Sequence, residues 1–121
     1  MRVLITGSTS WTDIDALRRE FCRLPIGTVI VTGDTSGVDS FAIEVAAERG
    51  FSVEAMEKNA ADAQNFPEDS WKGLNHRMIS TGVDLVLAFH ADYGKIGLAR
   101  GTQHALELAD RAGIPTRVFL A

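Results

Sequence analysis

What the chain has little of narrows the field first. A single cysteine, Cys22, in 121 residues excludes a disulfide framework and a cysteine-built zinc site, and fits a reducing cytoplasm. Three prolines alongside 45% apolar residues exclude a disordered, proline-rich chain. Only three lysines occur (Lys58, Lys72 and Lys95), and twelve basic against sixteen acidic residues leave a net charge of −4. The basic stripe of a nucleic-acid-coating protein is therefore missing, and DNA is not expected as a partner. No apolar run approaches the roughly 18 residues of a membrane span, and the opening Met1 to Gly7 stops too early for a signal peptide, so the expected location is the cytoplasm. His76, His90 and His104 show no metal-ligand spacing such as HExxH. Neither GxxxxGK[ST] nor GxGxxG occurs, so ATPase and NAD-binding fingerprints are absent and no cofactor or metal is expected. The length suits one domain over residues 1–121 and is too short for a TIM barrel.

What is present alternates between two periodicities. Runs at Arg2 to Thr6, Thr28 to Thr32, Phe51 to Glu57, Val83 to Phe89 and Pro115 to Leu120 read as parallel strands. Four are continuously apolar, as strands covered on both faces must be; Phe51 to Glu57 alternates more and belongs at an edge. Between them, helical stripes recur: Ile14, Leu17, Phe21 and Leu24 behind an Asp13 N-cap; Val38, Phe41, Ala42 and Val45 ending at Gly50; Trp71, Leu74 and Met78 ending at Gly82; Ala105, Leu108, Ala109 and Ala112 ending at Gly113. Right-handed strand–helix–strand units of this kind predict an α/β, Rossmann-like domain. Its five-stranded parallel sheet has the order 3-2-1-4-5, with helices on both faces. Lys58 to Asp69 reads as one long loop, of the kind that serves as a lid.

In such sheets ligands bind beyond the carboxyl ends of the strands. Three segments arrive there. In the first, Gly7 and Ser8 offer close backbone approach and a hydroxyl, and Trp11 is either a stacking face or a cover for the helix end. In the second, Gly33, Asp34, Thr35, Ser36 and Gly37 precede a helix as a candidate anion nest, with any side chain added at Gly37 expected to project toward the anion. Asp39 in the first turn of that helix either accepts from a ribose hydroxyl or complements the helix dipole. In the third, Gly101 and Thr102 open the last helix; Arg100 is either a phosphate counter-charge or a solvated side chain, and His104 either a general acid–base or a surface residue.

Taken together, Gly33-Asp34-Thr35-Ser36-Gly37-Val38-Asp39, Asn75-His76-Arg77-Met78 and Arg100-Gly101-Thr102 resemble the SLOG superfamily, which includes the DprA/Smf proteins and the "lonely guy" phosphoribohydrolases. Val3-Leu4-Ile5-Thr6-Gly7-Ser8 with Trp11, and Ala112-Gly113-Ile114-Pro115, resemble its small stand-alone YspA/YpsA-related branch of bacteria and phages. The resemblance implies a Rossmann-like fold and a nucleotide or nucleotide-derived ligand, with Asn75 and Arg77 added to the ligand-binding set. It also marks departures. The glutamate of the enzymes' PGGxGTxxE motif falls on Ala105, and Glu107 lies about 200° further round the helix. The enzymes' arginine on the third helix falls on Leu74, and the second glycine of the branch's Gly-Gly start is Asp34.

These departures favour a binding module that senses or sequesters a nucleotide-like small molecule, with Trp11 or Trp71 as its stacking face, Arg77 or Arg100 as its counter-charge and no catalytic residue assigned. The alternative is an N-glycosidase acting on a nucleoside monophosphate, with Asp39, Asp92 or His104 in place of the missing glutamate. Domains this small often associate, so a homodimer is compatible with the sequence, although no exposed apolar stripe specifies one.

Overall fold

A computed structural model describes residues 1–121. The elements run β1 (Arg2–Gly7), α1 (Ile14–Phe21), β2 (Val29–Thr32), α2 (Val38–Arg49), β3 (Ser52–Ala55), α3 (Ala60–Asn65), α4 (Trp71–Ser80), β4 (Leu85–Phe89), α5 (Arg100–Arg111) and β5 (Thr116–Phe119). All strands are parallel, in the order β3-β2-β1-β4-β5. This is the Rossmann-like α/β arrangement that the alternating periodicities predict.

The sheet divides the core because consecutive strand residues point to opposite faces. Val3, Ile5, Ile30, Leu85, Leu87 and Phe89 pack under α1 and α2 with Leu17, Phe21, Val38 and Val45. Leu4, Val31, Val86 and Ala88 pack on the other face with Leu74 and Met78 of α4 and Leu106 and Ala109 of α5. Burial on both faces explains why β1, β2 and β4 read as unbroken apolar runs. β3 lies at an edge and is mostly exposed, in keeping with its mixed sequence. The helix ends also follow the expected chemistry. The Asp13 side chain accepts from the Ala16 amide, and Gly50 closes α2 in the left-handed conformation. No helix is long and apolar enough to cross a membrane.

One expectation fails. Residues 58–69 are not a plain loop, because they contain α3. Asn59 and Asp62 form a reciprocal capping box, in which each side chain accepts from the other's backbone amide. Six residues are too few to write a helical stripe in the sequence, and the helix is held from outside. Asp62 is 2% exposed and receives two bonds from Arg77, at 2.9 and 2.6 Å. Its contact with α4 is made at Gly73, where a Cβ would stand 2.7 Å from the Asp62 backbone. No other residue fits that crossing.

Candidate functional site

The β1–α1, β2–α2 and β4–α5 connections all leave the sheet at its carboxyl edge, on either side of the point where strand order reverses. They enclose a cleft of about 490 Å³, closed on its far wall by α4 and by Lys58 ahead of α3. Ten of the sequence-derived residues line it: Gly7, Ser8, Gly33, Asp34, Thr35, Asp39, Asn75, Arg100, Gly101 and Thr102. Four do not: Trp11, Ser36, Gly37 and Arg77.

Each of the four is occupied elsewhere. Trp11 is buried, edge-on to Phe89 with ring centroids 5.8 Å apart, and its indole N–H donates to the Asp13 carbonyl at 2.7 Å. It covers the start of α1 instead of offering a face. Arg77 is spent on Asp62 and on the Glu57 carbonyl, so it anchors α3 and leaves the cleft without its counter-charge. The same pairing holds the Asp62 carboxyl below its ordinary range. Ser36 reaches the Thr9 carbonyl. Gly37, with φ of +73°, lies directly against the backbone of Ser8 and Thr9; a side chain there would strike that loop instead of pointing at an anion.

The turn before α2 is therefore a joint between two loops. The Val38 amide donates to the Ser8 carbonyl at 3.1 Å. Asp39, 8% exposed, accepts from the Thr32 hydroxyl at 3.1 Å, the Thr35 hydroxyl at 2.8 Å and the Thr35 amide at 3.3 Å. Burial raises its pKa above the ordinary value, and the threonine hydrogen bonds work in the opposite direction. Asp34 is latched to Lys58 at 2.8 Å; burial pushes its carboxyl up, and the Lys58 bonds outweigh that and leave it below its ordinary value.

The start of α5 is built differently. Its first backbone bond runs from Gln103 to the Ala99 carbonyl, so the amides of Arg100, Gly101 and Thr102 precede the helical ladder, and all three residues line the cleft. Ala99 is the one non-glycine residue with positive φ, at +56°. Beside it, Arg100 bonds Asp69 at 3.2 Å and lies 5.7 Å from the centre of the Trp71 ring. Trp71, not Trp11, is the tryptophan at the cleft. Asn75 donates to the Gly101 carbonyl at 3.1 Å, tying α4 to this helix start.

Sequence reasoning missed several lining residues. Thr9, Ser10, Leu98 and Ala99 were next to residues it named, whereas Lys58 and His90 carried no motif signal. His90 accepts from the Asp92 amide, and burial lowers its pKa. Of the three groups weighed as substitutes for the missing glutamate, Asp39 and Asp92 line the cleft and His104 stands behind Asn75. Ala105 is fully buried.

Fold and cleft together define a Rossmann-like α/β protein with a polar cleft at the switch point of its sheet. The family described as YspA, cpYpsA-related SLOG matches residues 1–64, and the chain belongs to that family. It is also 37% identical over 125 residues to the Gene 61 protein of Mycobacterium phage D29, an alignment covering 98% of this chain and 95% of that protein. The family match contains the first two loops of the cleft, and the alignment to the phage protein extends across nearly all of the chain. Membership in this family suggests binding or processing of a nucleotide-related ligand.

Proposed function

We propose that the cleft binds a nucleotide or nucleotide-derived small molecule and holds it, as a sensor or a store, without turning it over. The observation that carries this reading is the open first turn of α5. Three amides and the Thr102 hydroxyl stand at one end of a concave polar cleft, where a phosphate or a ribose oxygen is best received. Trp71 and Leu98 supply apolar surface for a base, and Arg100 supplies positive charge nearby.

The absence of turnover rests on where the acids are. At the position of the phosphoribohydrolase glutamate stands Ala105, a fully buried methyl group with no carboxylate to offer. Asp34 and Asp92 are each bound to a lysine, at 2.8 and 2.9 Å. Asp39 supports the second reading, an N-glycosidase acting on a nucleoside monophosphate, because a buried carboxyl with a raised pKa at the floor of a cleft is the kind of group that acts in proton transfer. Its three hydrogen bonds, all to the neighbouring loop and strand, favour a structural tie.

The test is mass spectrometry of small molecules released from the purified protein, followed by incubation with AMP and assay for free adenine. A retained or bound nucleotide with no base release is the expected result. Base release at catalytic turnover, abolished in Asp39→Asn, would replace this reading with the glycosidase.

A further inference from the structure

Asn75 carries information about the cleft that its position alone does not. It is 6% exposed, and its side-chain nitrogen faces two groups, the Gly101 carbonyl at 3.1 Å and His104 Nδ1 at 3.1 Å. A carbonyl only accepts, so the Asn75 atom facing Gly101 is the donor nitrogen. The same nitrogen faces His104, so Nδ1 must accept from it and carries no proton; the imidazole is neutral, with its hydrogen on Nε2. The Asn75 oxygen is left without a protein donor. Arg2 Nε is the only buried side-chain nitrogen or oxygen lacking a partner, so the Asn75 oxygen is not sealed away, and Asn75 lines the cleft.

We propose that His104 is a positioning residue: its bare Nδ1, with the Gly101 carbonyl, clamps the Asn75 amide so that an oxygen acceptor, not an N–H donor, faces the ligand. The cleft then selects a ligand N–H or O–H, such as a ribose hydroxyl or an exocyclic amine, at that point. Protonating His104 would set an N–H against the Asn75 N–H and remove one of the two acceptors that hold the amide, leaving the Gly101 carbonyl to hold it alone and loosening the acceptor that faces the ligand. This inference rests on the cleft being the ligand site.

The surroundings of His104 keep it neutral near pH 7. Burial lowers its pKa below the ordinary 6.5, and the positive side lent by His76 and Lys72 on α4 and Arg111 on α5 acts the same way, against Glu107 on α5. The Trp71 ring packs edge-on at 5.6 Å and the His76 ring at 5.3 Å.

Two variants separate the role from mere packing. His104→Leu removes the acceptor, and His104→Gln restores one that does not titrate. AMP binding isotherms from about pH 8 to about pH 5, with melting curves, are expected to show the parent weakening as His104 protonates. The AMP phosphate itself titrates at about pH 6 and weakens every variant alike, so His104→Gln should lose less affinity than the parent across that range, and His104→Leu should bind about five- to ten-fold more weakly at pH 8. Nitrogen-15 NMR of the free protein should show the Nε2–H tautomer at pH 8, and Asn75 side-chain amide signals that move as His104 titrates. An Nδ1–H tautomer, unmoved Asn75 signals, or His104→Leu binding AMP like the parent at every pH would overturn the proposal. If the parent itself ignores AMP, the reading of the cleft as a nucleotide site is what suffers, and the tautomer and Asn75 signals still decide the role of His104.

Discussion

At the carboxyl rim, α2 and α5 begin on opposite faces of the sheet from similar glycine-and-hydroxyl sequences, Gly33 to Asp39 and Leu98 to Thr102, yet their first turns have opposite fates. At α2 the protein fills the turn itself. The Ser8 carbonyl takes the Val38 amide, the Asp39 carboxyl group fills the turn and is held by Thr32 and Thr35, and Gly37 is pressed against Ser8 and Thr9. At α5 nothing of the kind occurs: Gly101 has only Trp71 within reach of an added Cβ, at 3.8 Å, and the first three residues of the helix line the cleft ahead of its hydrogen-bond ladder. A glycine before a helix marks either a ligand cradle or a packed joint. Which one it marks is decided by residues distant in sequence.

The same methyl group placed at both glycines should affect the two turns very differently. Gly37→Ala forces a side chain into a left-handed backbone and against the Ser8 carbonyl, and should cost on the order of 3 kcal/mol of folding stability. Gly101→Ala meets no clash and should leave stability the same or raise it by up to about 1 kcal/mol, since alanine is the better helix former. Chemical denaturation of the two variants measures both. Equal losses would mean that the α2 turn is no more tightly packed than the α5 turn.

Thr102→Val tests the open turn from the ligand side. The substitution keeps the volume of a residue only 4% exposed and deletes one hydroxyl, so AMP binding should weaken by about 1 to 2 kcal/mol, roughly ten-fold, with the melting curve unchanged. The corresponding Thr35→Val, whose hydroxyl already serves Asp39, should lower stability more than affinity. Affinity losses of the same size in both, with stability intact, would put ligand contacts at both helix starts.

Asp39 adds a pH signature to the closed turn. Burial raises its folded pKa above the unfolded value near 3.8, so its favourable contribution is complete below that value and is lost as pH rises through the folded titration. Asp39→Asn cannot titrate. The stability of Asp39→Asn relative to the parent should therefore increase as pH is raised from about 3 toward 7, read by denaturant midpoints at each pH. A constant difference would mean that the carboxylate is solvated and the turn is not closed over it.

The sequence carried the fold further than the site. Strand runs buried on both faces, the Asp13 cap and the Gly50 stop are local signals, and local signals survive in one dimension. The site was legible to the extent that it follows from topology: the strands deliver Gly7, Gly33 and Gly101 to one rim whatever surrounds them. What stayed hidden were pairings over long separations. Arg77 looked available until α3, itself too short to show a stripe, brought Asp62 within 2.6 Å of it. Lys58 entered the cleft because Asp34 reaches it across the chain. His104 looked like a lone surface histidine because its partner, Asn75, lies a helix away.

The smallest expected effect concerns Ala99, the residue that launches the open turn. Its φ of +56° is a conformation in which the Cβ crowds the backbone, at a cost of about 1 to 2 kcal/mol for a residue other than glycine. Ala99→Gly removes that crowding but gives the unfolded chain more freedom to lose, about 0.5 to 1 kcal/mol, so a net gain of roughly 0.5 to 1 kcal/mol should remain. A denaturant midpoint shifted upward by that amount, with the slope unchanged, is the expected result. A destabilised Ala99→Gly would mean that the Ala99 methyl group contributes packing at the cleft wall that outweighs its strain. The affinity of the same variant for AMP then separates two uses of that strain. If Ala99 rigidly presets the amides of Arg100, Gly101 and Thr102, the glycine variant is more stable and yet binds more weakly, because part of the binding energy goes to ordering the turn. If the strain is incidental, stability rises and affinity stays where it was. The closed turn at α2 already has its left-handed residue as a glycine, so only the open turn carries this strain.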